Sequence, residues 1–283
     1  MWIEIRSRDG LARAGILVHG DEILPSPAVA DVTGLFPSLR DRTLENVPID
    51  ASEPFVSTWF VPGGEPRAVH PAYPTRLPLS GAVMVANWGT VLPDPCAHIR
   101  HLVRVIGSIP PDAPRYAPAV GTPMNLSLLA WTGFDLFDYV ATDLASVQGR
   151  FLLPEAVLGA DALSSGICTC DGCATGDLWR HNRMALDREI ALVRRFIHDG
   201  RLRELVESRC RSDAALVGAV RLLDRQFVFV ERWTPVTGPT PMRANSAESL
   251  FRPEVRRFAT RVLERYHPRR TDTIVLLPCS ARK

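Results

Sequence analysis

Cys168-Thr169-Cys170-Asp171-Gly172-Cys173, followed after one short loop by His181-Asn182 and a long amphipathic segment, decides how this chain is read. Three thiolates within one turn's reach of each other, plus an imidazole, supply the four N/S donors that tetrahedral Zn²⁺ prefers. The Cys-x-Cys-x-x-Cys spacing lets a single turn wrap the sulfurs of Cys168, Cys170 and Cys173 around an ion. His181 then closes the shell from the start of a helix. Four protein ligands leave no open coordination position, so a structural zinc that staples loop to helix is expected. The plain alternatives are a disulfide or a group of buried thiols; in a chain that keeps its cysteines reduced, a cluster points to metal.

Working outward, the segments before the cluster alternate strand and helix. Val83-Met-Val-Ala86 reads as a buried strand, Pro95 to Ile109 as a helix with apolar Ile99, Leu102, Val103 and Ile106, and Arg115 to Val120 as another strand. Met124 to Trp131 is a short apolar helix, and Gly133 to Val140 runs from loop into strand. This alternation implies parallel β-structure covered by helices. Trp2–Ile5 and Ala14–Val18, around the turn signal Arg8-Asp-Gly10, open the chain with a hairpin, and the Pro/Gly-rich stretch from Pro62 to Pro78 reads as loop. Beyond the cluster, Arg183 to Glu207 is a helical stretch interrupted at Asp199-Gly200. Asp213 to about Val230 and Pro253 to Tyr266 are further helices, and Thr273-Ile-Val-Leu-Leu277 is a buried strand ahead of Pro278-Cys-Ser-Ala-Arg-Lys283.

At 283 residues, 46% hydrophobic and 23% charged, the composition is that of a globular protein, and Lys+Arg at 33 against Asp+Glu at 31 announces no polyanion partner. No apolar run could span a bilayer and Met1-Trp-Ile-Glu4 begins no cleavable signal, so no membrane association and a cytoplasmic location are expected. Arginine is unevenly placed: Arg194, Arg195, Arg201, Arg203, Arg209 and Arg211, then Arg252, Arg256, Arg257, Arg261, Arg265, Arg269 and Arg270, crowd the last third. These read either as solvated helix faces or as a phosphate-contacting surface. Cys96 and Cys210, unrelated in spacing to the cluster, read as small buried or half-buried residues.

Gly121-Thr-Pro123, Gly133-Phe-Asp-Leu-Phe-Asp138, the three-cysteine cluster and His181-Asn182, in that order, resemble the tRNA-guanine transglycosylase superfamily, as does the opening Ile5-Arg-Ser-Arg-Asp-Gly-Leu-Ala-Arg13. Arg115-Tyr-Ala-Pro-Ala119 and Leu277-Pro-Cys-Ser-Ala-Arg-Lys283 are similar, within it, to the archaeosine synthase family, whose Pro-Cys-Ser-x-x-Lys-Pro-Tyr motif is present here only in its first six residues. The resemblance implies an α/β fold: a transglycosylase-like (β/α)8 TIM barrel with a zinc-binding insertion, plus a C-terminal helical segment ending in a lone strand. The expected divisions are 1–210 for the barrel with its zinc site at 168–181, 211–270 for a helical extension, and 271–283 for the first strand of an incomplete α/β domain.

For function, the resemblance implies addition of an amine, lysine in the two-step version, to the nitrile of 7-cyano-7-deazaguanine at position 15 of archaeal tRNA. Asp138 matches the carboxylate that acts as covalent nucleophile in the base-exchanging enzymes. Its plain alternative is a strand-end residue capping the next turn. Where those enzymes carry a second carboxylate, this chain has Ala86-Asn87-Trp88-Gly89, and an amide hydrogen-bonds a base edge without exchanging a proton. Asp135 or Asp143 could compensate. Cys279 is the candidate catalytic thiol, since a thiolate adds to a nitrile carbon to give a thioimidate that an amine then displaces; an inert cysteine is the alternative. Asn87, Asp135 and Ser280 are the candidate substrate contacts. Expected partners are tRNA, a second chain carrying the rest of the C-terminal region, a radical enzyme that completes the product, and a second copy in a homodimer. The other functional readings are a tRNA-guanine transglycosylase that exchanges the base and a non-catalytic tRNA-binding subunit.

Overall fold

The computed structural model describes residues 1–40, 47–60, 64–74, 81–269 and 271–276, so Cys279 and Ser280 lie outside the described residues. The chain opens with three antiparallel strands, β1 (Trp2–Asp9), β2 (Ala12–His19) and β3 (Glu22–Ser26), paired in that order. The hairpin turns where Arg8-Asp-Gly10 predicts, with Gly10 at φ +63°, a conformation open to glycine at little cost.

A second sheet carries the architecture. Strands β4 (Ala28–Val29), β5 (Arg67–Val69), β6 (Val83–Val85), β7 (Arg115–Tyr116) and β8 (Leu136–Phe137) are all parallel, in the order β5-β6-β7-β8-β4. Val83, Met84 and Val85 have no exposure at all, which is why β6 is an uninterrupted apolar run. Between these strands lie the short helices α1 (Val32–Leu35), α2 (Glu53–Trp59) and α3 (Trp88–Val91), then α4 (Pro95–Ser108) and α5 (Leu126–Trp131). Helix α4 begins where Asp94 accepts from the Cys96 and Ala97 amides and Pro95 occupies the first position, a site where the missing N–H costs nothing.

The two faces of the sheet bury different clusters. Met84, Tyr116, Leu136, Ala28 and Ala68 point to one side, against Leu17 of the hairpin sheet, Val32, Phe36 and Val56. Val83, Val85 and Phe137 point to the other, against Leu102 and Ile106 of α4 and the helices that follow. The first strand returning to lie beside the last is the cyclic order of a barrel, yet no ladder joins β4 to β5 among the described residues. An eight-stranded closed barrel is therefore not observed, because after β8 the chain supplies no further parallel strand among the described residues. It forms α6 (Val140–Val147), an antiparallel ribbon of β9 (Arg150–Leu152) and β10 (Val157–Gly159), and then α7 (Asp171–Thr175) and α8 (Leu178–His198).

Helix α8 presents Leu186, Ile190, Val193 and Ile197 to the core, and Gly200 at φ +66° ends it before α9 (Leu202–Arg209), at the predicted break. Next come α10 (Ala214–Arg225), α11 (Phe227–Trp233) and α12 (Pro253–Arg265). Leu216, Ala219, Val220, Leu223 and Val230 belong to the same buried cluster as Val83 and Leu102. The core thus runs on past residue 210, and α10 packs against α4 rather than starting a separate helical extension.

Three local expectations are corrected. The Pro62–Pro78 stretch holds a strand, β5, whose three residues are too short a signal to stand out between prolines. Thr273 to Leu276 form no strand, and Ile274, Val275 and Leu276 are 87%, 75% and 88% exposed, since no described strand lies alongside to pair with them. Cys210 is buried as expected, whereas Cys96 is exposed at the start of α4.

Candidate functional site

The metal cluster assembles as its spacing predicts. One ligand atom each from Cys168, Cys170, Cys173 and His181 lies within 4.8 Å of all the others. Cys170 Sγ and Cys173 Sγ are 3.7 Å apart and each is 3.3 Å from His181 Nδ1. Bonds of about 2.3 Å to sulfur and about 2.0–2.1 Å to nitrogen imply tetrahedral edges of roughly 3.6–3.8 Å, so the donor set fits such an ion. The other imidazole nitrogen decides the tautomer: His181 Nε2 lies 3.1 Å from the Leu152 carbonyl, which accepts its proton and leaves the Nδ1 lone pair facing the thiols. The imidazole also stacks on Phe151 at 3.7 Å between centroids.

Asn182 completes the clamp. Its Oδ1 accepts from the Leu152 amide at 2.9 Å, and its Nδ2 donates to Ser146 Oγ and the Arg150 carbonyl. His-Asn is thereby a single device gripping both backbone groups of Leu152. Gly172 allows α7 to lie against the start of α8, since a Cβ there would stand 2.3 Å from the His181 amide nitrogen. Burial pushes the Cys173 thiol up to about 12, reinforced by hydrogen bonding to Cys170 and Cys168, and burial holds His181 below its ordinary value. Burial acts upward on Cys170 as well, but hydrogen bonds from the Cys173 and Gly172 amides and the neighbouring thiols outweigh it, so this thiol is lowered. Three thiols this close cannot all ionise without a cation among them, so metal uptake would release protons.

A second constellation lies at the C-terminal ends of the parallel strands, where an α/β sheet places ligands. Asp138 follows β8, Asn87 follows β6, His70 follows β5 and the Ala117–Ala119 turn follows β7. Asn87 and Ala119 are the two non-glycine residues at positive φ, both +55°, among the described residues. Backbone strain of this kind, of order 1–3 kcal/mol each, collects at functional sites. Asp138 is 2% exposed. Its Oδ2 accepts from the Tyr116 hydroxyl at 2.6 Å and the Ala119 amide at 2.8 Å, and its Oδ1 accepts from the Val140 amide at 2.9 Å. Burial raises its pKa, opposed by these three hydrogen bonds. Asn87 donates from Nδ2 to the Val47 carbonyl at 2.6 Å, and His70 Nε2 lies 3.3 Å from the same oxygen. Sequence reasoning missed Tyr116 and His70: each is a single residue in or just after a two- or three-residue strand, with no spacing signal.

Asp135 is not at this edge. It precedes β8, is wholly buried, and receives Arg13 through both carboxylate oxygens together with the Arg115 amide. The Arg13 guanidinium also donates to the carbonyls of Pro111 and Ala113. A substrate contact is thereby excluded for Asp135, whose oxygens tie the hairpin sheet to the opposite end of the parallel sheet. Asp143 likewise is taken by Arg183, at 2.6 Å and 2.8 Å.

The arginine-rich third is mostly neither a bare solvated face nor an open phosphate surface. Arg203 pairs with Glu207 and Asp224, Arg252 with Glu207, Arg209 with Glu189 and Glu155, and Arg211 with Glu248. Arg195 and Arg201 pair with Asp199 and Glu204, Arg257 with Glu231, and Arg194 donates to the Pro27 carbonyl. Three of the pairs, Arg195–Asp199, Arg201–Glu204 and Arg203–Glu207, are local, while Glu155, Glu189 and Glu248 come from distant parts of the sequence, so clustering of one sign was visible and much of its compensation was not.

No described helix is long and apolar enough to cross a membrane. A family described as a domain of unknown function (DUF5591) matches residues 255–283. The chain is 32% identical to an archaeosine synthase of Haloferax volcanii over 312 aligned residues, covering 100% of this chain and 53% of that protein. It is 35% identical to an archaeosine synthase subunit alpha of Methanosarcina acetivorans, covering 99% of this chain and 45% of that one. A tRNA-guanine(15) transglycosylase of Methanosarcina acetivorans is 32% identical over 186 residues, 61% of this chain and 38% of its own length. Along its whole length the chain is therefore a homologue of the archaeosine synthases, and it spans about half the length of the curated relatives it matches.

Proposed function

We propose that this chain takes part in archaeosine formation on tRNA, in the step that adds an amine, lysine by preference, to the nitrile of 7-cyano-7-deazaguanine at position 15. The observation that carries this over base exchange is the state of Asp138. A covalent nucleophile at an anomeric carbon needs an exposed carboxylate oxygen, and here Asp138 is 2% exposed with three of its about four acceptor positions taken by Tyr116, Ala119 and Val140. The one acceptor position left, on Oδ1, suits a single hydrogen bond from a base or ribose hydroxyl. The neighbouring strand end offers the Asn87 amide, which can pair with a base edge and cannot shuttle a proton. No glycosidic bond need break in amine addition, so neither residue is asked for more than its geometry allows.

The bond-making thiol in this proposal is Cys279, an assignment resting on sequence alone. Its sulfur bonds to the nitrile carbon while the nitrile nitrogen takes a proton. The amine then adds to the thioimidate, and the thiolate leaves as an amidine forms. Ser280 would contact the same base. Because Ile274 to Leu276 pair with no described strand of the parallel sheet, delivery of Cys279 to Asp138 would fall to a partner chain that completes the C-terminal region, with a radical enzyme finishing the product. Cys168, Cys170, Cys173 and His181 would hold a structural Zn²⁺ that supplies rigidity between β9 and α8 and no reaction step. A cytoplasmic location follows from a tRNA substrate.

The test is incorporation of labelled lysine into tRNA carrying the cyano base, run beside labelled-guanine exchange. Label from lysine alone supports amine addition, label from guanine supports transglycosylation, and silence in both with tRNA binding retained supports a non-catalytic subunit.

A further inference from the structure

A cavity of about 90 Å³ lies at the end of the parallel sheet away from Asp138. Arg8 of β1, part of its wall, pairs in register with Arg13, which holds Asp135 at that end. Residues 235–240 close the cavity as a strap of this chain's own. Thr240 Oγ1 donates to the Asp199 carbonyl at 2.8 Å and the Arg243 amide donates to Glu204 at 3.0 Å. Pro239 lies against Gly200, where a Cβ would stand 2.7 Å from its ring.

Two guanidiniums line the cavity with donors to spare. Arg203 and Arg252 are 6% and 3% exposed, and the Nε of each donates to the same oxygen of Glu207, at 2.9 Å and 2.7 Å. The other Glu207 oxygen accepts from the Ser246 and Ser249 hydroxyls, so all four acceptor positions of this carboxylate are taken. Arg203 Nη2 donates to Asp224, yet Arg203 Nη1 and Arg252 Nη2 are buried with no hydrogen-bond partner among the described residues. Leaving a buried charged donor unpaired is unfavourable. A ligand carboxylate offers an oxygen to each of them in charge-assisted hydrogen bonds.

The rest of the wall is mixed in sign. Asp9 shares it with Arg252 and Glu254 from the start of α12, Arg201 and Glu204 from the start of α9, and Arg8 of its own strand. Arg201 is engaged by Glu204. Burial first, then Glu254 and Glu204, push the Asp9 carboxyl up to about 6, against the Leu202 amide and Arg252, which act downward. Counting Glu207 and Asp224, which hold Arg203 and Arg252 from behind, four arginines meet five carboxylates here. A bare oxyanion would enter against that surplus, whereas a ligand carrying both signs finds donors and acceptors alike.

We infer that this cavity binds a small free α-amino acid as its zwitterion, the carboxylate toward Arg203 and Arg252 and the ammonium toward Asp9 and Glu254. The volume, roughly three waters' share of the liquid, suits glycine or alanine and leaves no room for a stem as long as lysine's. The site is thus separate from the Asp138 edge and from the amine donor of the proposed reaction.

The experiment is isothermal titration calorimetry of the chain with glycine at pH 5 and pH 7, beside acetate, methylamine and inorganic phosphate. Glycine should bind with a dissociation constant in the millimolar range or below, and acetate and methylamine, each carrying one half of it, at least about tenfold more weakly. Glycine keeps both its charges across this range, while Asp9 passes from mostly protonated to mostly ionised, so affinity should rise roughly tenfold from pH 5 to pH 7. Asp9→Asn, which keeps an oxygen for the Leu202 amide, should bind at least about tenfold more weakly at pH 7 and lose that rise, with circular dichroism to certify its fold. Should this variant fail to fold, the wild-type pH profile and the half-ligands decide alone. Affinity that grows on acidification, a preference for phosphate over glycine, glycine binding unchanged in folded Asp9→Asn, or no heat at millimolar glycine would each overturn the inference, the last leaving the cavity to water.

Discussion

Replacing Asp135 by Asn separates a structural from a substrate-binding role. The carboxylate is fully buried and receives Arg13 at both oxygens and the Arg115 amide at 2.9 Å. Asparagine keeps the shape, removes the charge and turns one acceptor into a donor, leaving the Arg13 guanidinium buried without its counter-ion. Breaking a buried pair from one side costs about 3–5 kcal/mol. At about 2–4 °C per kcal/mol for a domain of this size class, thermal unfolding followed by tryptophan fluorescence should fall by roughly 6–20 °C. Arg13→Met should also destabilise, orphaning the Pro111 and Ala113 carbonyls. The double variant should lose less than the sum, with a coupling of about 2 kcal/mol or more. At a temperature where both are folded, Asp135→Asn and wild type should bind tRNA equally. An unfolding temperature within about 2 °C of wild type together with weakened tRNA binding would refute the reasoning.

Three further outcomes follow from the site and its surroundings. Protein purified without chelator should contain one zinc per chain, and Cys170→Ser should lose it and admit protease between residues 166 and 180, because metal-binding energy is folding energy there; full stability without metal would count against the site. Asp138→Asn should lose about 1–3 kcal/mol of stability, since its amide nitrogen would face a donor, and where folded should lose about 1.5–3 kcal/mol of transition-state binding, roughly a 10- to 150-fold drop in kcat/KM, whereas complete loss of activity in folded protein would make Asp138 the nucleophile. Asp9, whose carboxylate accepts from the Leu202 amide at 2.6 Å, is raised by burial from 3.8 to about 6. The folded state then holds its proton more tightly than the unfolded state, so stability should decline by about 3 kcal/mol from pH 4 to pH 6 and level off above. Asp9→Asn should flatten that decline, and parallel curves for the two proteins would contradict it.

What the sequence made legible follows from the length of each signal. Helices α4 and α8 show several turns of apolar periodicity with Asp94 and Asp177 as caps, and the cluster of three cysteines and one histidine is compact in sequence and in space alike. Strand β5 is three residues between prolines, β4 only two, and neither carries a period. The Arg13–Asp135 tie spans 122 residues, so nothing local distinguishes Asp135 from Asp138 three positions later. One strand length of difference puts one at a buried structural end and the other at the functional edge. Several of the arginines misled for the same reason, since Arg209, Arg211 and Arg252 find their carboxylates on other elements. Barrel closure depends on pairing between β4 and β5, which no single-strand pattern encodes.

The most direct test is a two-label assay on tRNA bearing 7-cyano-7-deazaguanine at position 15, with this chain alone and with the proposed partner chain added. The account predicts covalent lysine incorporation without release of the deazaguanine base, reduced and not abolished by Asp138→Asn. Release of that base with uptake of labelled guanine, abolished by Asp138→Asn, would contradict it.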